Sequence, residues 1–185
     1  MNTVVTSREA ILNISKELIR EQGWAALNIR AVAAACGVSV GSIYNYYGSK
    51  SDLIAATVES VWCDIFHFPE NAGTFDRFSD CVEWIFAGMK KGEETYPGFF
   101  TLHSMSFIGE ERSKGQQLMA QSWKHIRDSL SMVLMNDPNI RAGAFDESFT
   151  PQQFAEIVFS LIISALLQHN YDCTGISAMI RRVLY

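Results

Sequence analysis

At 185 residues, 48% of them hydrophobic and 12% aromatic, the chain can bury a sizeable core, as one large helical domain or a small domain joined to a larger one. A formal charge of −5 excludes a uniformly basic nucleic-acid binder, but the charge is uneven: Met1–Lys50 holds five basic residues (Arg8, Lys16, Arg20, Arg30, Lys50) against three acidic ones (Glu9, Glu17, Glu21), so this head is +2 and the remainder −7. Four scattered cysteines (Cys36, Cys63, Cys81, Cys173) without a C-x-x-C pair argue against a disulfide framework or zinc site and suit a reducing compartment, and the absence of a signal-peptide pattern or bilayer-length apolar run predicts a soluble, cytoplasmic protein with no membrane partner.

In chain order, Thr6-Ser7-Arg8-Glu9 reads as a capping box with Thr6 as N-cap. Ala10, Ile11, Ile14, Leu18 and Ile19 follow at helical spacing until Gly23 stops the helix. Trp24 and Leu27 are expected to pin the next turn to the core. Asn28 is a fitting N-cap for a second helix that turns Ile29, Val32, Ala33 and Cys36 inward. Gly37 supplies a turn, and Ser39 caps a third helix, Val40–Tyr47, with Ile43 and Tyr47 inward and Ser42, Tyr44, Asn45 and Tyr46 more exposed. Ser49-Lys50-Ser51-Asp52 is a second capping box, opening a helix through Leu53, Ile54, Thr57, Val58, Val61 and Trp62.

Pro69–Thr74 reads as a linker. A fifth helix follows with Phe75, Phe78, Val82, Ile85, Phe86 and Met89 on one face, and Pro97-Gly98 breaks the chain. Leu118–Met135 is amphipathic, and Asp137–Ser148 has loop composition. Thr150-Pro151 is an N-cap with proline at the first helical position, opening Phe154–Gln168, and Ile176–Leu184 forms a short last helix. No alternating strand pattern occurs, so the fold class is all-α.

Two short helices joined at Gly37, with a polar-aromatic face on the second and a lysine opening the next helix, have the layout of a helix-turn-helix, whose second helix enters the DNA major groove. Residues 6–66 resemble the DNA-binding domain of TetR-family transcriptional regulators. The resemblance is carried by Ile11-Leu12, Gly23, Asn28-Ile29-Arg30-Ala31-Val32-Ala33, Gly37-Val38-Ser39, Ile43-Tyr44-Asn45-Tyr46-Tyr47, Ser49-Lys50 and Asp52-Leu53, without a gap. The departures are Asn28, where the family more often has Thr, Val40, where a polar residue is common, and Gly48, often Pro or polar; they bear on the operator sequence.

The DNA-binding residues expected from pattern and resemblance together are Asn28, Arg30, Ser39, Val40, Gly41, Ser42, Tyr44, Asn45, Tyr46 and Lys50. Arginine can read guanine bidentately, and valine can touch a thymine methyl. Lys50, beside a helix N-terminus, is placed for a phosphate.

The remaining two thirds show no phosphate loop, nucleophile elbow or zinc-protease motif, and His67, His103, His125 and His169 lack metal-ligand spacing. No catalytic activity, cofactor or metal is expected. Large soft side chains suit an apolar pocket for a small effector, as the resemblance also implies. Its expected lining is Trp84, Met89, Phe100, His103, Phe107, Gln117, Trp123 and Phe159, with His103 and Gln117 as polar anchors. The Phe154–Gln168 helix is apolar on every side, and one core covers one face, so it and the terminal helix are expected to build a homodimer.

The chain is therefore read as an N-terminal three-helix helix-turn-helix DNA-binding domain (1–50), a connecting helix (51–68) and a C-terminal helical ligand-binding and dimerisation domain (69–185). The expected function is a sequence-specific transcriptional regulator, read first as a repressor released from a palindromic operator by a small apolar or aromatic effector. The competing class is a helical small-molecule-binding protein or enzyme with a non-functional helix-turn-helix. DNA binding without turnover would separate the two.

Overall fold

The computed structural model describes residues 6–66, 75–100 and 112–185, with the backbone alone at 112–119, 121 and 122. Eight α-helices and no strand occur among these residues: α1 (Arg8–Gln22), α2 (Ile29–Ala35), α3 (Val40–Tyr46), α4 (Lys50–Ile65), α5 (Phe78–Thr95), α6 (Arg112–Asn136), α7 (Pro151–Leu167) and α8 (Thr174–Leu184). The Pro69–Thr74 linker and His67 lie outside the described residues. Two compact units are formed, one from Met1–Ile65 with Gly92–Leu118, the other from Phe66–Lys91 with Met119–Tyr185.

In the first unit each helix start has a local cause. The N-cap of α1 is Ser7, whose Oγ accepts from Ala10 N at 3.0 Å. Thr6 is not the cap as the pattern suggested: the helix begins one residue later, so Glu9 stands at the second helical position and cannot complete a capping box. Asn28 Oδ1 accepts from Ala31 N at 2.9 Å to start α2, and Ser39 Oγ accepts from Ser42 N at 3.1 Å to start α3. Such caps contribute about 1 kcal/mol each. Between them Gly37 adopts φ +67°, a left-handed conformation that glycine takes without steric cost. Ser49 Oγ accepts from Asp52 N and donates to Asp52 Oδ2 ahead of α4.

The core of this unit is Ile11 and Ile19 from α1, Val32 from α2, Ile43 and Tyr47 at α3, and Leu53 and Val61 from α4, all buried. Helix α1 packs on α2 and α4, and α2 on α3. Trp24 stacks on Phe99 at 5.4 Å, and Phe99, Phe100 and Trp62 meet edge to face, so the turn after α1 is pinned by aromatic contacts. A polar cluster lies nearby. Lys16 Nζ is 3.0 Å from Asp64 Oδ2, Arg20 Nη2 is 3.6 Å from the same oxygen, and Tyr96 Oη donates to it at 2.7 Å. Burial and the Asp64 carboxylate push the Tyr96 hydroxyl up to about 12, so it stays a donor.

In the second unit α5 turns Phe78, Cys81, Val82, Ile85, Phe86 and Met89 inward. Phe78 meets Phe154 of α7 at 5.9 Å, and Phe145 and Phe149 flank Phe154 at 5.9 Å each. Asp137 Oδ2 accepts from Phe78 N and from Tyr185 Oη, while its Oδ1 accepts from Asn139 N. Helix α7 opens with a complete capping box between Thr150 and Gln153 and with Pro151 in its first turn, as its sequence predicts. Helix α6 starts at Arg112 rather than near Leu118, because Arg112–Gln117 is polar yet contains good helix formers that carry no apolar period.

Candidate nucleic-acid interface

Helix α3 presents a distinct outer face. Ile43 and Tyr47 are 0% and 1% exposed and fix which side faces the core. At 3.6 residues per turn the opposite side is centred on Gly41 and Asn45, flanked by Val40 and Tyr44 on one edge and Ser42 and Tyr46 on the other. Val40, Tyr44 and Tyr46 are 38%, 46% and 37% exposed, large fractions for side chains of this kind. Gly41, Asn45 and Ser39 are exposed and Ser42 is half-buried.

The two edges differ chemically. Ser42 Oγ is 2.9 Å from Ser39 Oγ, and Tyr46 Oη donates to Thr6 O at 2.6 Å. Both polar ends of that edge are thus engaged within the protein. No hydrogen bond among the described residues engages Tyr44 Oη or the Asn45 amide.

The basic residues of the head divide in the same way. Arg8 lies over the Tyr47 ring at 4.7 Å, Arg20 over the Tyr96 ring at 4.9 Å, and Lys16 and Arg20 face Asp64. Arg30, on the first turn of α2, and Lys50, which opens α4, are exposed and make no ion pair among the described residues. Asn28 is half-buried, with its side chain occupied as the α2 cap and as a donor to Ala26 O. What remains outward and uncommitted is Arg30, Val40, Tyr44, Asn45 and Lys50. That set offers two cations, one amide, one phenol and apolar surface, which fits a polyanion whose grooves carry both hydrogen-bonding edges and methyl groups.

The residues expected to line an effector pocket fall in both units. Phe100 is 3% exposed in the aromatic cluster of the first unit, and Met89 is 0% exposed in the core of the second. Trp84 is half-buried and edge-on to Phe75 at 5.9 Å. Trp123 and Phe159 come together edge to face at 6.4 Å, with the Arg127 guanidinium 5.6 Å from the Phe159 ring centre. Trp123 Nε1 is a buried donor without a hydrogen-bond partner among the described residues. Neither the role of Arg127 nor that unmet donor is legible in the sequence. His103 and Phe107 lie outside the described residues, as does the side chain of Gln117. Burial pushes the thiols of Cys36, Cys63 and Cys81 up, Cys81 to about 12, so none of these three is activated as a thiolate. No group of metal-binding side chains occurs among the described residues, and no helix there is long and apolar enough to cross a membrane.

On helix α7 some apolar side chains face outward. Ile157 and Leu167 are 46% and 59% exposed, while Phe154, Val158 and Ile162 on the opposite side are buried.

Residues 11–57 match the family described as bacterial regulatory proteins, tetR family. The HTH-type transcriptional regulator UidR of Escherichia coli (strain K12) is 33% identical over 52 residues, which is 28% of this chain and 26% of that relative, so the likeness spans about a quarter of the relative's length. Among solved structures, a transcriptional regulator from Rhodococcus sp. RHA1 superposes with a TM-score of 0.65 at 20% identity, covering 96% of this chain and 94% of the other. The multidrug binding protein EbrR, complexed with proflavin, gives 0.59 at 15% identity, covering 96% and 99%. At these identities the two structures share the fold.

Proposed function

We propose that the chain, whose residues 11–57 match the tetR family of bacterial regulatory proteins, is a sequence-specific DNA-binding transcriptional regulator of that kind. The observation that carries this is the outer face of α3, where Val40, Tyr44 and Asn45 are exposed, together with the exposed cations Arg30 on α2 and Lys50 on α4, which make no ion pair among the described residues. In this reading α3 enters the major groove, Arg30 reads a base edge, and Lys50 with the exposed start of α4 holds a backbone phosphate. Gly41, Ser39, Ser42, Tyr46 and Asn28 complete the contact surface.

Helices α7 and α8 pair with a second copy through the face that exposes Ile157 and Leu167. Twofold symmetry then sets two α3 helices about 34–36 Å apart, or a multiple of that, and calls for a palindromic operator. The chain acts as a repressor, and an apolar or aromatic small molecule releases it. Supporting the effector are the half-buried Trp84, the Trp123–Phe159 pair and the unmet Trp123 Nε1 donor, which suits a ligand with one acceptor. The proflavin-bound EbrR structure is an aromatic-ligand example on the same fold.

Genome-wide mapping of bound DNA tests the reading, with a palindromic site near a small set of genes expected. Leu167→Glu tests the dimer. The charge sits at an exposed position, so folding survives while sedimentation shows a monomer and operator affinity falls by about 100-fold or more. A monomeric wild type at micromolar concentration, or no duplex preference at low salt, overturns the proposal.

A further inference from the structure

The outer face of α3 also carries information about the operator. Its unusual member is Gly41. Glycine is a far poorer helix former than alanine, and nothing among the described residues requires it here. The backbone is ordinary, and a Cβ built at Gly41 would meet only Ser39 Oγ, at 3.7 Å, an ordinary contact. The missing side chain therefore creates a flat spot at the centre of an outward face, next to Asn45 one turn on. A flat spot lets the helix approach a surface closely enough for a short amide to reach it.

Around that spot the hydrogen-bonding equipment is sparse. Helix α3 contains no Arg, Lys or Gln. Ser39 and Ser42 are bound to each other, and the Tyr46 hydroxyl is bound to Thr6 O. Val40 and Tyr44 supply apolar surface on the free edge, four residues apart and thus side by side. Only Asn45 is left with the donor–acceptor pair that matches adenine N7 and N6, and thymine is the one base with a major-groove methyl for Val40 and the Tyr44 ring. Guanine requires Arg or Lys for bidentate reading. Of the three arginines of the head, Arg8 lies over Tyr47 and Arg20 over Tyr96, which leaves Arg30, on α2 and off this face.

Resting on the DNA-binding reading above, we infer that α3 selects an A·T-rich core in each half-site. Gly41 sits at closest approach, Val40 and Tyr44 cover thymine methyls, Asn45 reads one adenine, and a single guanine outside the core is read by Arg30.

The test is selection of the full chain on a randomised duplex library, followed by titration of the selected duplex and of copies with uracil in place of thymine. Enriched half-sites with an A·T core are expected, and each contacted methyl lost to uracil should weaken binding about fourfold, the factor for burying one methyl-sized group. Asn45→Ala should lose about tenfold and relax selection at one A·T pair. Gly41→Ala should raise the melting temperature while weakening binding by about tenfold or more, a pairing that a merely structural glycine would not give. A G·C-rich core, indifference to uracil, or Gly41→Ala binding as wild type overturns this inference and leaves the DNA-binding reading standing. No enriched sequence at all defeats both.

Discussion

The helix starts of the first unit and the start of α5 in the second are held in different ways. In the first, Ser7, Asn28, Ser39 and Ser49 each cap a helix from within three residues, and the turn at Gly37 needs only its own backbone. In the second, the start of α5 is held by Asp137, 59 residues away, and Asp137 is in turn bound by Tyr185, 48 residues further on. Its aromatic centre, Phe78 with Phe154, joins residues still more remote in sequence. Local devices demand particular residue types at fixed offsets. Long-range packing demands only volume and polarity, which many sequences satisfy. The difference accounts for a family match confined to residues 11–57 while the fold likeness extends over nearly the whole chain.

If the second unit rests on distant packing, the largest loss should come from Phe154→Ala. Phe154 is 2% exposed and touches three other rings, so the change should cost about 3–5 kcal/mol, or a fall in melting temperature of roughly 6–20 °C. A urea midpoint that barely moves would break the comparison.

Asp137→Asn comes next, at about 1–3 kcal/mol, since Asp137 is 8% exposed and accepts three hydrogen bonds. Burial by itself would raise this carboxyl, but the hydrogen bonds from Tyr185, Phe78 and Asn139 outweigh it and hold the group below the ordinary carboxylate range. Its folded value lies below its unfolded one, so the carboxylate contributes fully above about pH 4 and its contribution drains away as pH falls further. Denaturation curves of wild type and Asp137→Asn should therefore converge in acid. Curves that stay parallel down to pH 2 would assign the loss to shape rather than charge.

Ser39→Ala should cost about 1 kcal/mol and speed amide exchange in α3 while leaving α7 and α8 unchanged. Loss of protection in those distant helices would show the first unit to be less local than its caps suggest. Smallest is Lys50→Ala, an exposed charge without an ion pair among the described residues. Its effect on stability should stay within about 0.5 kcal/mol. Against DNA it should weaken binding across sequences and lower the salt slope by about 1.

The sequence by itself determined the all-helical class, the starts of α2, α3, α4 and α7, the turn at Gly37 and the inward side of α3, because each depends on spacings of two to four residues. Even there it was one residue off at Ser7, where Thr6 and Ser7 are chemically alike and only the backbone selects between them. Tertiary structure alone decided which outward groups are free. Tyr46 and Tyr44 look equivalent in the chain, yet Tyr46 is bound to Thr6, 40 residues away. Arg20 and Arg30 look equally basic, yet Arg20 is drawn to Tyr96, 76 residues on. Met89 and Phe100 look like pocket lining and are buried in the core of their units. A side chain's direction follows from helical geometry, but its partner is set by whichever distant helix packs beside it.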